Sequence, residues 1–446
     1  MKGLIETIRN IFKIPELRDR ILYTILLLAV FRLGTFVILP GIDSTVLSEQ
    51  FDSGGGGGLL DLFNVFLGGA FARGSILALG IMPYISASIV VQLLGAVMPS
   101  IQKLRAEGES GQKKMNQMTR YLTVAITIGQ AAGYVIYVRE QMRGALVVDA
   151  NLLFWLTSVT LLTAGTMFLV WLGERITDNG IGNGVSLLIM IGIIAGFPAA
   201  IIQEASSRLP MIFFIEILAL GVVTMAVVAL TQATRKIPVN YARQMMGNRI
   251  GQLGKGNQAR QYIPLKVNSA GVMPIIFAQA IMFLPTTLLG FVGMESSGLA
   301  QVLGDISGFW YNLIFFFLII VFTYFYTAIT VNPNEIADQL KRNGGFIPGI
   351  KPGKKTANYI DTVLSRITLP GSIFLAFVSI FPAIAMQFGA SSGFAQFFGG
   401  TTLLIMIGVV LDTLQQIESY LLMRHYDGLM QTGRVNKGRR RSGMAV

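Results

Sequence analysis

No cysteine occurs anywhere in the 446 residues. The chain therefore has no disulfide framework, no thiol nucleophile and no thiolate metal site. Histidine is nearly as scarce: the one His, His425, lies among Arg424, Tyr426 and Asp427, a setting for a solvated interfacial side chain rather than a ligand. Most zinc and imidazole acid–base chemistry is thereby excluded. Charge is sparse too, at 13% of residues against 53% hydrophobic, with a mean hydropathy of +0.62. One soluble core cannot absorb that much apolar side chain, so the composition is that of a polytopic membrane protein. Nucleotide motifs fail on inspection. Gly251-Gln252-Leu253-Gly254-Lys255-Gly256 lacks the earlier glycine and the Ser or Thr of a P-loop. Gly180-Ile181-Gly182-Asn183-Gly184 joins two apolar stretches, not a strand to a helix.

Ten stretches are long and apolar enough to cross a hydrocarbon core of about 30 Å: 21–39, 71–99, 121–138, 152–172, 185–202, 211–230, 270–292, 309–331, 367–388 and 397–423. An even number puts both termini on one side. With the N-terminus in the cytosol, 30 of the 35 Lys and Arg fall in cytosolic segments and 3 (Arg139, Arg143, Arg208) in the opposite loops, which orients both termini inward by the positive-inside rule. No small-residue cleavage site follows the first stretch, so it reads as a retained helix, and no Ser-rich transit segment precedes Lys2.

Two of these stretches begin with nearly the same phrase, 191 positions apart: Gly80-Ile81-Met82-Pro83-Tyr84-Ile85-Ser86-Ala87 and Gly271-Val272-Met273-Pro274-Ile275-Ile276-Phe277-Ala278, with five identities in eight. The second and seventh helices are then equivalent. Five crossings per repeat is odd, so the halves enter the membrane in opposite senses. The expected fold is an all-α integral membrane protein of ten transmembrane helices in two inverted-repeat halves of five. Its organisation reads as a cytosolic segment 1–20, an N-terminal half 21–205, a C-terminal half 206–425 with cytosolic loops at about 231–269 and 332–366, and a basic tail 426–446.

An inverted-repeat transporter of a small solute shares this plan. Coupled transporters, however, keep ionisable groups at bilayer depth, and here Arg32, Glu216 and Asp412 are the main charges within the stretches. Instead Ile81, Ile85 and Ile89, and likewise Val185 and Ile189, recur four apart on one helix face. Helix packing is the plainer explanation of any single stripe. A purely structural scaffold leaves stripes on several helices without a role.

The segments Leu79–Ser88, Glu107-Gly108-Glu109-Ser110-Gly111, Gly180–Gly184, Pro264-Leu265-Lys266-Val267-Asn268 and Pro348-Gly349-Ile350-Lys351-Pro352-Gly353 resemble, in order, the signature segments of the SecY family, channel subunits of the bacterial protein translocase. The resemblance runs from about Pro15 to the tenth stretch. It implies a channel passing unfolded secretory polypeptides across the bacterial plasma (inner) membrane and releasing transmembrane segments sideways into lipid. No catalytic residue, metal or cofactor is expected.

By the same resemblance a pore ring is lined by Ile81, Ile85, Val185, Ile189, Ile276 and Ile405, and a plug spans about 54–70. The plug holds the Gly54–Gly58 run, then Leu59, Leu60, Leu62, Phe63, Asn64 and Phe66. A lateral gate carries Gly80, Pro83 and Ser88 on one helix and Gly271, Pro274 and Gln279 on the other. The partners implied are SecE-like and SecG-like subunits, the SecA motor ATPase, the ribosome, signal sequences with nascent or secretory polypeptides, and anionic membrane lipid. Docking falls to the basic loops, with Arg235, Lys236, Arg243, Arg249, Lys255, Arg260 and Lys266 in one and Lys341, Arg342, Lys351, Lys354 and Lys355 in the other. Lys351 stands where the family usually has arginine, which keeps charge but removes the bidentate fork.

Overall fold

A computed structural model of the chain describes residues 14–51, 64–141, 143–147, 151–241, 261–292, 305 and 307–439. Each of the ten expected stretches overlaps a helix, though not with the expected bounds: α1 (Pro15–Gly34), then after the short α2 (Ser44–Gln50) α3 (Met82–Val97), and after α4 (Pro99–Ala106) α5 (Glu109–Gln141), α6 (Leu152–Asn179), α7 (Gly184–Ser207) and α8 (Pro210–Gln232). Strands β1 (Thr234–Tyr241) and β2 (Gln261–Lys266) precede α9 (Met273–Val292), α10 (Phe309–Thr330) and α11 (Pro333–Arg342). The chain continues through β3 (Gly345–Phe346), α12 (Lys354–Gln387), α13 (Ser392–Ala395) and α14 (Gly400–Arg439). Among the described residues seven helices are long and apolar enough to cross a membrane, while the apolar helices at 82 and 273 are shorter. The first turns of α1 carry Glu16, Arg18, Asp19 and Arg20, which leaves it less apolar than the seven.

The second stretch, expected to be helical from 71, becomes regular helix only at Met82; turns occupy 67–81 apart from one bridge at Ser75. Gly80 has φ +56° and Gly271 has φ +63°, a region that excludes a right-handed helix and costs an L side chain strain. Each glycine thus stops helix from propagating backward, and each helix starts two residues later with Pro83 or Pro274 in its first turn, where a missing N–H costs nothing. The repeated phrase is a repeated local structure. The ninth stretch lengthens the other way: α12 starts at Lys354, not 367, because its first turns carry Ile360 and Leu364 into a separate apolar core.

The chain forms two compact units, Met1–Ala200 with Ile405–Val446, and Ile201–Leu404. The first is centred on a cluster in which Leu67, Ala70, Phe71, Ala78 and Leu79 pack with Leu39, Tyr134, Val138 and Leu162. The second contains a departure from the all-α reading, a small sheet of order β2-β1-β3. β1 pairs antiparallel with β2, Thr234 opposite Lys266, and with β3, Asn240 opposite Phe346. Ile237, Val239 and Leu265 from the first basic loop pack with Leu340 and Ile347 from the second and Ile360 and Leu364 of α12. The two loops are one folded module.

Candidate functional site

The turn segment from Asn64 to Ile81 is held by an unusual density of backbone contacts. The Asn64 side-chain oxygen accepts from the Ala72 N–H at 3.1 Å, and its carbonyl accepts from Gly69 N–H at 2.9 Å. Tyr134 donates its hydroxyl to the Phe71 carbonyl at 2.9 Å, and Arg32 Nη1 donates to the Gly68 carbonyl at 3.0 Å. A Cβ placed on Gly192 of α7 would stand 2.2 Å from the Phe66 carbonyl oxygen, and one on Gly80 would stand 1.9 Å from Leu67 Cδ2. Backbone therefore meets backbone where the segment crosses α7, a contact that only glycine allows. Of the expected plug residues, Asn64 is half-buried and Phe66 buried. Leu59, Leu60, Leu62 and Phe63, with the Gly54–Gly58 run, lie outside the described residues.

Four of the expected ring residues sit in the first unit, Ile85 on α3, Val185 and Ile189 on α7, and Ile81 in the turn just before α3. Ile81 and Ile189 are buried, and Ile85 and Val185 half-buried. Ile81 and Ile189 share one small apolar cavity with Phe66, Leu67, Leu169 and Leu188. Walls of this kind offer water no hydrogen bond. Two of the expected ring residues thus line one cavity with Phe66, an expected plug residue. Ile405 is buried in α14, and Ile276 is half-buried in the second unit. Among the expected gate residues, Gly80 and Pro83 are buried, Ser88 is half-buried and accepts from Gln92 Nε2 at 3.1 Å. Gly271 is half-buried, Pro274 buried, and Gln279 buried with its side-chain nitrogen unpartnered.

The expected docking cations sit on the folded module. Arg235, Lys236, Lys266 and Lys351 are all exposed, and the Lys236 ammonium lies 4.8 Å from the centre of the Tyr262 ring. The Lys351 carbonyl accepts from Thr356 Oγ1 at 3.0 Å at the head of α12, so its backbone is anchored while its side chain is free to vary. Arg243, Arg249, Lys255 and Arg260 lie outside the described residues.

One cluster in the second unit was not foreseen. Glu204 is fully buried; its carboxylate accepts from the Arg208 Nε at 3.3 Å and the Ser391 N–H at 3.2 Å, and also from the Ser391 hydroxyl. Gly389, at φ +88°, leaves the space in which the Arg208 guanidinium lies, 2.7 Å from where a Cβ would be. The four-residue spacing of Glu204 and Arg208 is visible in the chain, but it marks many exposed helix pairs equally well. Gly68 and Gly192 carry no sequence signal that distinguishes them from the other glycines.

Comparison with known proteins agrees with this geometry. A family model described as SecY matches residues 75–414. The protein translocase subunit SecY of Streptomyces galbus is 43% identical over 436 residues, covering 94% of this chain and 98% of the relative. A solved SecY channel, described as having a plug domain that stabilises its closed state and maintains a membrane seal, superposes with a TM-score of 0.63 at 18% identity, over 90% of this chain and 91% of that one. Sec61 from a canine ribosome–channel complex superposes with a TM-score of 0.59 at 15% identity, over 90% and 91%.

Proposed function

The chain belongs to the SecY family, and from that premise we propose that it is the protein-conducting channel of a bacterial plasma membrane, with both termini cytosolic and ten crossings in two inverted halves of five. It passes unfolded secretory polypeptides and releases transmembrane segments sideways into lipid. The observation that carries the reading is the apolar cavity shared by Ile81, Ile189 and Phe66, which puts branched aliphatic side chains from α7 and from the turn before α3 against the root of the segment assigned as plug.

The constriction is assigned to Ile81, Ile85, Val185, Ile189, Ile276 and Ile405. A narrow collar of such side chains offers no hydrogen bond to water or ions, so it dewets and holds an ion barrier, while yielding to side chains of any size. Residues about 54–70 act as the plug, the Asn64–Phe66 end being its fixed root. Sideways release is assigned to Gly80, Pro83 and Ser88 with Gly271, Pro274 and Gln279. Partitioning supplies the sorting energy, about 0.8 kcal/mol per buried methylene, so no catalytic group or cofactor is needed. Work comes from partners: SecA or a translating ribosome at the module bearing Arg235, Lys236, Lys266 and Lys351, with SecE-like and SecG-like subunits and anionic lipid around the channel.

The absence of native cysteine makes the test clean. Single cysteines at Ile276, Ile85 and Ile405 should crosslink a stalled secretory chain in membranes, only when it carries a signal sequence, and a cysteine at lipid-exposed Met211 should not. Failure at every ring position, with partners present, removes the pore assignment. Lys351→Glu reverses an exposed charge without disturbing the Thr356 anchor. It should lower SecA-driven transport severalfold at unchanged protein level, and unchanged transport takes Lys351 out of the docking surface.

A further inference from the structure

Four helices meet at one glycine turn on the face assigned as cytosolic. Gly180–Gly184 lies between α6 and α7, and most of its backbone groups are taken up by side chains from other elements. Arg20 Nη1 of α1 donates to the Gly180 carbonyl at 3.3 Å, and Thr24 Oγ1 of the same helix accepts from the Ile181 N–H at 3.1 Å. Thr177 Oγ1 of α6 accepts from the Gly184 N–H at 2.9 Å. The Gly182 N–H goes to α14, donating to the side-chain oxygen of Gln416 at 2.8 Å. Gly182 has φ +84°, and a Cβ there would stand 3.0 Å from Thr413 Oγ1 of that helix. Glycine is what lets α14 come this near.

The bond acts on a part of α14 that packing does little to hold. Gly400–Ile405 are all buried, whereas Asp412, Leu414, Gln416 and Glu418 are exposed. Ile405, assigned to the constriction, stands eleven positions before Gln416, about 16 Å along the axis at 1.5 Å per residue. A helix of that length is a stiff rod, so where Gln416 is pinned bears on where Ile405 stands. Val185 is the second residue of α7. The turn that receives Gln416 therefore also places a second member of the ring.

The second unit repeats the arrangement. α7 and α14 cover the fifth and tenth stretches, equivalent under the repeat read from the sequence, and near the far end of α7 Glu204 accepts from the Ser391 N–H at 3.2 Å. Ser391 follows Gly389, at φ +88°, in the turn that leads into α13 and α14. Each of the two helices thus offers, near the end of its crossing, a side-chain oxygen to the glycine turn that precedes the other. The same device made with different residues marks a requirement of the plan rather than incidental packing.

We propose that Gln416 is a positioning residue for conduction: by holding α14 on the Gly182 N–H it fixes the height and rotation at which Ile405 enters the constriction. The proposal rests on the pore assignment. Removing the acceptor leaves the N–H of a buried turn unmet and frees the exposed part of α14 to turn or slide. The aliphatic collar then closes unevenly and admits water and ions.

The test repeats the stalled-chain crosslinking in the assembled membrane complex, with a cysteine at Ile405 or at Ile85, in the parent channel and in Gln416→Leu. Crosslinking at Ile405 should fall about fivefold relative to that at Ile85, the size of one lost hydrogen bond, and idle ion conductance should rise by a similar factor. Gln416→Glu keeps an acceptor oxygen at the same reach and should restore both. Gln416→Asn, one methylene shorter, should not, and it serves as the test variant should Gln416→Leu fail to assemble. An unchanged ratio of Ile405 to Ile85 crosslinking overturns the proposal, and so does an equal fall at both positions, which is what a general loss of stability produces. Absence of crosslinks at every ring position in the parent channel instead removes the pore assignment, and this inference with it.

Discussion

Gly192→Val should open the resting channel to ions. At Gly192 a Cβ would stand 2.2 Å from the Phe66 carbonyl oxygen and 3.6 Å from the Gly68 N–H nitrogen. These are backbone atoms, so no rotamer change relieves the contact. α7 and the turn beneath it must separate, at an overpacking cost of about 1–3 kcal/mol. With residues about 54–70 as the proposed plug, that cost falls only on the state in which its root lies against α7, and a bias against one of two states shifts their ratio tenfold per 1.4 kcal/mol. Ion permeability of reconstituted, idle channels should therefore rise roughly tenfold or more. The control is Gly129→Val in α5, where a Cβ would meet nothing within 4 Å; it should leave permeability alone. If Gly192→Val channels assemble and remain tight, the contact with Phe66 is not what keeps the plug seated.

Glu204→Ala should be the most destabilising single change in the second unit. It removes the acceptor of three hydrogen bonds at once and strands Arg208, whose side chain is only 23% exposed. Breaking a buried ion pair from one side costs about 3–5 kcal/mol, because the remaining charge loses its partner without regaining water. For a unit of this size that is a fall of roughly 6–20 °C in the thermal midpoint of the detergent-solubilised complex. Ser391→Ala deletes one donor and should cost only about 1 kcal/mol. Near-equal midpoints for the Glu204 and Ser391 variants would mean that the carboxylate is solvated in practice and the cluster does not join α7 to the turn at Ser391.

Much of the membrane architecture was legible because it follows from one-dimensional quantities. Hydropathy placed a helix in each of the ten stretches, seven of them long and apolar enough to cross a membrane among the described residues, since a bilayer-length helix needs a run of apolar residues and little else. The Gly-x-Met-Pro repeat was legible as a repeated phrase, and its backbone proved the same in both places. Where the helices begin was not legible. Residues 71–81, largely apolar, look like helix by composition, and it took positive φ at Gly74 and Gly80, the Tyr134 hydroxyl on the Phe71 carbonyl and the Asn64 side chain on the Ala72 N–H to hold them as turns. The basic loops show the same limit. Their charges were visible, but not that Ile237, Val239, Leu340 and Ile347 close over one core, because strand pairing across a hundred residues has no local pattern.

The chain by itself determined the class of molecule: its apolar composition and run lengths mark a polytopic membrane protein, and its ordered signature segments mark the SecY family. It also determined which aliphatic stripes were available to line a pore. Tertiary structure alone decided which of those side chains meet. Ile81 joins Ile189 and Phe66 around an apolar cavity, and Gly192 is pressed against a carbonyl, while Glu204, silent in the sequence, becomes the hub of a buried polar cluster. The physical reason is that hydrophobic burial is additive along the chain and readable from it, whereas close approach, hydrogen-bond satisfaction and charge pairing depend on atoms brought together from distant positions.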